Sequence, residues 1–282
     1  MVSIIIPCFN QGEFIRETVG SVKNQTYPHW ELIIVNDGSD DKHTLSVLKE
    51  LAAEGYNITD IPNGGVSAAR NFGAGMSQGD FLLFLDSDDM IHREYLSAAM
   101  SAFEKDSNLD YVYCDIQEFD GGTGYRSLGA LKPDKVLLHA VTHVSGIMKR
   151  ALWESSKGFN VHFLKGWEDW DFLIRITRMN IRSCKIPAGM LLYRIREYSR
   201  DKTASRIHNA ALEQQVFREH LDAYLELYKE PISILRQHKE QQDMIADLEL
   251  SKKNIYKTYS YRLGAGLLYP FKTLSKFLHS KK

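Results

Sequence analysis

The sequence predicts an α/β fold, a doubly wound and mostly parallel sheet followed by a helical C-terminal extension. Three observations carry this. Over the first 117 residues short runs rich in branched apolar side chains alternate with segments of helical spacing, as in strands joined by crossover helices. The run Phe81 to Leu85 is continuously apolar, which suits a strand buried on both faces. From about Ala204 the chain reads almost wholly helical, with breaks near Pro231 and at Gly264, Gly266 and Pro270.

The elements follow in order. Val2-Ser3-Ile4-Ile5-Ile6-Pro7 is a β-branched strand expected to stop at its proline, which has no N–H for the ladder. Phe14, Ile15, Val19 and Val22 give the next helix one apolar face. Residues 30–36 form a second strand, and Asp40 or Asp41 caps a helix that presents Leu45, Leu48 and Leu51. A short strand over 56–61 precedes a helix of small residues, Ser67 to Gly75, able to lie close to the sheet. A buried strand over 79–85 leads to a helix from about His92 to Glu104, and 110–116 is a further strand. Beyond it, 139–148 reads as an apolar strand or loop, about 167–179 as a helix, and 182–186 and 189–196 as short strands.

At 282 residues the chain can bury a sizeable core, and its net charge of −1 gives no global attraction to nucleic acid. The charge is uneven, however. No acidic residue follows Glu249, so the tail carries +8 and the body before it −9. Cys8, Cys114 and Cys184 lack any paired spacing and read as small hydrophobes in or near strands in a reducing, cytoplasmic compartment. No signal peptide and no run long enough for a membrane span is visible.

The chemistry concentrates where strands end. The 79–85 strand runs into Asp86-Ser87-Asp88-Asp89, three carboxylates within four residues whose repulsion calls for a divalent cation or cationic side chains. A solvated turn has the same local pattern. Phe9-Asn10 and Asp37-Gly38-Ser39 close the first two strands, and parallel strands bring such ends to one sheet edge, where ligands bind. A carboxylate such as Asp37 can accept from the imide N–H of uracil, thymine or guanine; an Asx turn explains it equally well. Neither GxGxxG nor GxxxxGK[ST] occurs, which disfavours a dinucleotide dehydrogenase and a P-loop NTPase.

Ser3-Ile4-Ile5-Ile6-Pro7-Cys8-Phe9-Asn10, Gln25-Thr26-Tyr27, residues 30–39, Gly65-Val66-Ser67-Ala68-Ala69-Arg70-Asn71 and Phe84 to Asp89 fall in one order over about ninety residues. Together they resemble the family 2 glycosyltransferases, and Gly166-Trp167-Glu168-Asp169-Trp170-Asp171 resembles that family's acid motif. The resemblance covers roughly residues 1–200. It implies a GT-A fold that moves a sugar from a nucleotide-diphosphate donor, a UDP-sugar foremost, with inversion at the anomeric carbon. The acceptor would be a hydroxyl of a glycan or lipid-linked molecule in bacterial capsule, exopolysaccharide or lipopolysaccharide synthesis.

Carried to this chain, the resemblance implies that Pro7 and Phe9 line the base and ribose site and Asp37 reads the base. Arg70 would lie near the nucleotide, Asp86 near the ribose, and Asp88 would hold Mg2+ or Mn2+ on the diphosphate. Asp169 is the expected base, with Glu168 in reserve, because inverting transfer needs a carboxylate to take the acceptor proton and a helix start favours its ionised form. Asp171 is explained as a helix ion pair with Arg175, and Trp170 as core. His143 and its neighbours 144–146 belong to the acceptor side. Family members often carry a metal-completing His after the acid motif; here the matching stretch holds Arg194, Arg196 and Arg200, any of which could contact the diphosphate instead.

The expected organisation is a catalytic domain over 1–203, with a nucleotide-binding half of about 1–117 and an acceptor half of about 118–203, then the extension over 204–282. Within 260–282, Leu263, Leu267, Phe271, Leu274 and Leu278 fall at helical spacing among lysines, which suits peripheral binding to an anionic inner leaflet or docking on the protein itself or a second subunit. Ile245, Leu248 and Ile255 point weakly to a coiled coil. Two rivals stand beside the enzyme: an inactive binding or scaffold protein that kept the fold, and a sugar-nucleotide nucleotidyltransferase, which would need a glycine-rich, lysine-containing loop after the first strand.

Overall fold

The computed structural model describes residues 1–196 and 209–257. The expected basic helix over 260–282 and Arg200 lie outside the described residues. The chain divides into two compact units, Met1–Leu221 and Asp222–Lys282.

In the first unit, β1 (Val2–Cys8), β2 (Trp30–Asp37), β3 (Asn57–Ile61) and β4 (Phe81–Phe84) form a parallel array in the order β3-β2-β1-β4. The helices α1 (Ile15–Lys23), α2 (Lys42–Ala53) and α3 (Val66–Met76) are the crossovers. Ile4, Ile5, Ile6, Ile33, Ile34, Leu83 and Phe84 are buried, as continuously apolar strands in a covered sheet should be. β1 continues one residue past Pro7, paired with β2 through Cys8. The proline is accommodated because β4 has ended alongside Ile5, so the missing N–H costs no second ladder bond.

Asp41 caps α2, accepting the Thr44 N–H at 2.8 Å. The buried face of α2 is Thr44, Val47, Leu48 and Leu51, whereas Leu45, expected on it, is exposed. α3 lies against β1 and β2 as its small residues require: a Cβ on Gly73 would stand 2.5 Å from Ile5 Cγ2 and 3.0 Å from Val35 Cγ2.

The sheet then departs from a simple alternation. β5 (Met90–Ile91) and α4 (Tyr95–Lys105) lead to β6 (Tyr111–Asp120), β7 (Tyr125–Arg126), α5 (Pro133–Val136), β8 (Ile147–Lys149) and α6 (Arg150–Ser155). β8 inserts antiparallel between β4 and β6. The chain continues through α7 (Glu168–Thr177) to β9 (Ser183–Ile195), which runs parallel to β6 and pairs β5 along its other edge. The expected pair of short strands is thus one strand of 13 residues, irregular where Ala188 has φ +86° and the register against Cys114 to Ile116 shifts. Of the nine strands among the described residues six run in one direction, and β5, β7 and β8 oppose them. The fold is therefore α/β with a mostly parallel sheet and helices at its C-terminal end. α8 (Asn209–Glu219) follows, and α9 (Leu221–Leu227) belongs to the second unit from Asp222 on. The three cysteines are free: Cys8 and Cys114 are buried and Cys184 is partly so, all in strands.

In the second unit α10 (Pro231–Lys257) is a helix of 27 residues on which Ile245, Leu248 and Ile255 are exposed. No helix among the described residues is long and apolar enough to cross a membrane.

Candidate active site

β1 to β4 end on one edge of the sheet, where the exits of β1, β2 and β4 carry Pro7 and Phe9, Asp37, and Asp86 and Asp88, while Arg70 comes from α3 and Glu168 and Asp169 from α7. At the β1 exit Pro7 is buried in the ladder and Phe9 is 44% exposed. Asn10, at φ +53°, binds the β1 exit to the β2 exit: its amide donates to Asp40 Oδ1 at 2.7 Å, and its Oδ1 accepts the N–H groups of Asp40 and Asp41 at 3.1 Å.

Asp37 closes β2 and is buried. Its Oδ1 accepts the Gly64 N–H at 2.8 Å, a bond across 27 residues that ties the β2 exit to the loop before α3, so it is not a local Asx turn. Burial raises the Asp37 carboxyl above the usual range, and bonds from the Gly64 and Gly65 backbone offset part of this. Gly38, at φ +68°, packs so tightly that a Cβ would lie 2.7 Å from the Asn63 nitrogen.

Arg70 joins the two ends of the site. It is 1% exposed, not the helix-surface cation its position in the sequence allowed, and its two terminal nitrogens diverge. One donates to Asp86 Oδ1 at 2.6 Å and the other to Glu168 Oε1 at 3.0 Å. Its guanidinium carbon sits 5.1 Å from the centre of the Phe159 ring, which stacks on Phe172 of α7. Burial alone would lower the Arg70 pKa, but Asp86 and Glu168 outweigh it and hold the guanidinium charged.

The acid motif is presented by an abrupt turn. Gly166 has φ +118° and Trp167, the residue before α7, has φ +66°, a left-handed conformation costly for an aromatic residue. Glu168, Asp169 and Asp171 then occupy the first turn of α7. Glu168 is buried on Arg70. Asp169 is partly exposed, and its Oδ1 accepts the Trp170 N–H at 2.8 Å. Asp171 is paired with Arg175 at 2.9 Å, as the four-residue spacing predicts, and its other oxygen meets His220 Nε2 at 2.9 Å. The Trp170 indole donates to the Val136 carbonyl and packs edge-on against Trp167.

The Asp86–Asp89 turn is rich in cationic partners. Asp86 holds Arg70, Asp88 Oδ2 lies 2.5 Å from an Arg196 nitrogen, and Asp89 Oδ1 accepts the Arg194 backbone N–H at 3.0 Å. Burial, then repulsion from Asp86, raises the Asp88 carboxyl, and Arg196 and Arg194 pull it back. Asp89, fully enclosed beside Asp88 and Asp86, is raised further. No three His, Cys, Asp or Glu side chains among the described residues stand together to hold a metal ion. The guanidinium on Asp88 is the wrong neighbour for one. Asp88, the expected ligand of Mg2+ or Mn2+, thus faces a guanidinium in this arrangement.

His143, expected on the acceptor side, is near enough to Asp86 and Arg70 to feel both charges. Its Nδ1 accepts the Ser145 N–H at 3.0 Å, so the proton of the neutral ring sits on Nε2, which has no partner among the described residues. Burial lowers its pKa to about 4, with Asp86 opposing and Arg126 and Arg70 assisting. Two positions escaped sequence reasoning. Phe159 supports Arg70, and Asn71 pins it by a reciprocal pair of bonds with the Phe159 backbone at 2.7 and 2.8 Å; only the Lys157-Gly158 turn, with φ +63° and +70°, marked the place.

Residues 3–165 match the sequence profile "Glycosyl transferase family 2". The chain is 28% identical over 185 residues to a chondroitin synthase of Pasteurella multocida, an alignment covering 64% of this chain and 19% of the synthase. Among solved structures, S. aureus TarS 1-349 in complex with UDP-GlcNAc superposes with a TM-score of 0.62 at 20% identity, covering 83% of this chain and 75% of that one. A mannosyltransferase from Pyrobaculum calidifontis in complex with GDP-Man and Mn2+ has a TM-score of 0.56 at 19% identity, covering 100% and 88%. These likenesses share the GT-A-like fold. The chain spans 59% of the length of one curated glycosyltransferase relative and 19% of the synthase. With more than half its length inside that profile and its motifs gathered at one sheet edge, the chain belongs to glycosyl transferase family 2.

Proposed function

We propose that the protein is an inverting glycosyltransferase that moves a sugar from a nucleotide-diphosphate donor, a UDP-sugar foremost, to a hydroxyl of a glycan or lipid-linked acceptor in bacterial surface-polysaccharide synthesis. The observation that supports it is the Arg70 bridge. One buried guanidinium joins Asp86 at the β4 exit to Glu168 beside Asp169, and so couples the donor edge of the sheet to the acid motif.

In this reading Pro7 and Phe9 flank the base, and Asp37, whose Oδ1 already holds Gly64, uses its remaining lone pairs to accept a ring imide N–H. Asp86 lies at the ribose. The acceptor oxygen attacks the anomeric carbon opposite the diphosphate. The new C–O bond forms as the old one breaks, its electron pair leaves with the diphosphate, and the hydroxyl proton passes to Asp169. Glu168 is the poorer base of the two because it is buried in an ion pair with Arg70. Glu168 then positions Arg70, and α7 positions Asp169. His143, with its Nε2 proton, faces the acceptor side.

The test is Asp169→Asn. Turnover should fall by about 10²- to 10⁴-fold, the size of a general-base contribution, while donor binding, read as thermal stabilisation by UDP, GDP or dTDP, is retained. Unchanged turnover removes Asp169 from the mechanism.

A further inference from the structure

Two arginines near the end of β9 reach the acidic turn, and they differ in their exposure and in the strand exits they touch. Arg194 is committed to structure. Its backbone N–H serves Asp89, its Nε donates to the Asp88 carbonyl at 2.8 Å, and its terminal nitrogens hold Asp120 at 2.8 Å and Glu17. Only 5% of its side chain is exposed, between the rings of Phe14 and Phe119.

Arg196, two residues on and one past the end of β9, lies by the same Phe14 ring. One terminal nitrogen lies on Asp88 Oδ2 at 2.5 Å, the other donates to Gln11 Oε1 at 3.1 Å, and the guanidinium carbon sits 5.0 Å from the Phe14 ring centre. It therefore spans the exits of β1 and β4, the edge at which a nucleotide would lie, and 24% of its side chain faces solvent. A diphosphate approaching Asp86, Asp88 and Asp89 meets carboxylates, so a cation has to stand between them. A planar guanidinium can hold a carboxylate on one edge and phosphate oxygens on another. A divalent ion on Asp88 would instead lie against that guanidinium, positive charge against positive charge.

We propose that Arg196, held in place by Asp88, is the cationic group that receives the donor's diphosphate, so that nucleotide binding does not depend on a divalent metal. This rests on the donor-site reading given above and adds to it the source of positive charge. Asp88 becomes the residue that positions Arg196, and Gln11 and Phe14 keep the guanidinium at the β1 exit.

The experiment measures thermal stabilisation of the full chain by UDP, GDP and dTDP in EDTA and in MnCl2, for the wild type, Arg196→Ala, Arg196→Lys and Asp88→Asn. The expected result is a rise in midpoint with one of the nucleotides in EDTA that Mn2+ does not enlarge. Arg196→Ala should need about tenfold or more nucleotide for the same rise, the scale of a lost charge-assisted contact, and Arg196→Lys should recover part of it. Asp88→Asn is decisive even if Arg196→Ala folds poorly. It loosens the hold on Arg196 without removing the guanidinium, so the rise in EDTA should weaken less than in Arg196→Ala and still not depend on Mn2+. A rise seen only with Mn2+ and lost in Asp88→Asn makes Asp88 a metal ligand and overturns the role of Arg196 while leaving the donor site standing. No rise for any nucleotide in either condition overturns both.

Discussion

Replacing Arg70 with methionine removes the charge at the centre of the site and keeps most of the volume. Glu168, buried at 3.0 Å from Arg70, then loses its cation, whereas Asp86, whose side chain is 38% exposed, is partly screened by water. The loss therefore falls mainly on the Glu168 arm. Breaking a buried pair and stranding one partner costs about 3–5 kcal/mol, against well under 1 kcal/mol for an exposed pair. For a chain of this size that corresponds to a fall in melting temperature of roughly 10 °C. Urea denaturation of the wild type, Arg70→Met, Glu168→Gln and the double variant closes a cycle. Because the second substitution neutralises the buried carboxylate that faced Arg70, the double variant should recover stability, with a coupling of about 2 kcal/mol. If Arg70→Met costs no more than about 1 kcal/mol and the two substitutions simply add, Arg70 does not carry the buried charge of Glu168 and the bridge between the two ends of the site is refuted.

Other expectations follow from the same geometry. His143 is held down to about pKa 4 from 6.5. Between those values the unfolded chain binds a proton that the folded chain does not, so stability should fall as pH drops from about 6.5 to 4, by at most about 3 kcal/mol. His143→Gln, which can still accept the Ser145 N–H, should flatten that part of the pH–stability curve measured by urea titration; an unchanged slope assigns it to other groups. Gly73→Ala places a methyl group 2.5 Å from Ile5 Cγ2 and should lower the melting temperature by the equivalent of about 1–3 kcal/mol despite alanine's better helix propensity; an equal or higher melting temperature would mean α3 can lift off the sheet at little cost.

The parallel half of the fold was readable because its signals are local. Largely apolar runs mark β1, β2 and β4 to within two residues of their ends, β3 shows only the apolar Ile58 and Ile61 between polar residues, and the small residues of α3 announce its close approach to the sheet. What escaped depends on partners distant in sequence. β8 has three paired residues and owes its existence to Leu83 and Val112 on either side, so nothing in 139–148 could define it. β9 was read as two strands because Pro187-Ala188-Gly189 has the composition of a turn, yet the long β6 edge carries it through an irregularity. The site divides the same way. Asp171 and Arg175, four residues apart on one helix, were paired from spacing alone, whereas Arg70 and Glu168 are 98 residues apart and no local pattern could join them. Arg196 was visible as a cation near the end of the sheet, but that it faces Asp88 only the fold could tell.

The insertion of β8 has a consequence for the order in which the chain can fold. When residue 117 has been made, β1 to β4 have every local crossover they need, but the far edge of β4, Phe81 to Leu83, still has open backbone groups beside apolar side chains. Its partner arrives only with residues 147–149, some thirty residues and roughly 2–6 s later at typical rates of synthesis. Until then a nascent chain carries an open hydrophobic strand edge, the feature most prone to pairing with another molecule. A fragment ending near residue 117 keeps that edge for good, so despite holding Asp37, Arg70 and Asp88 it should aggregate rather than yield a free-standing nucleotide-binding module.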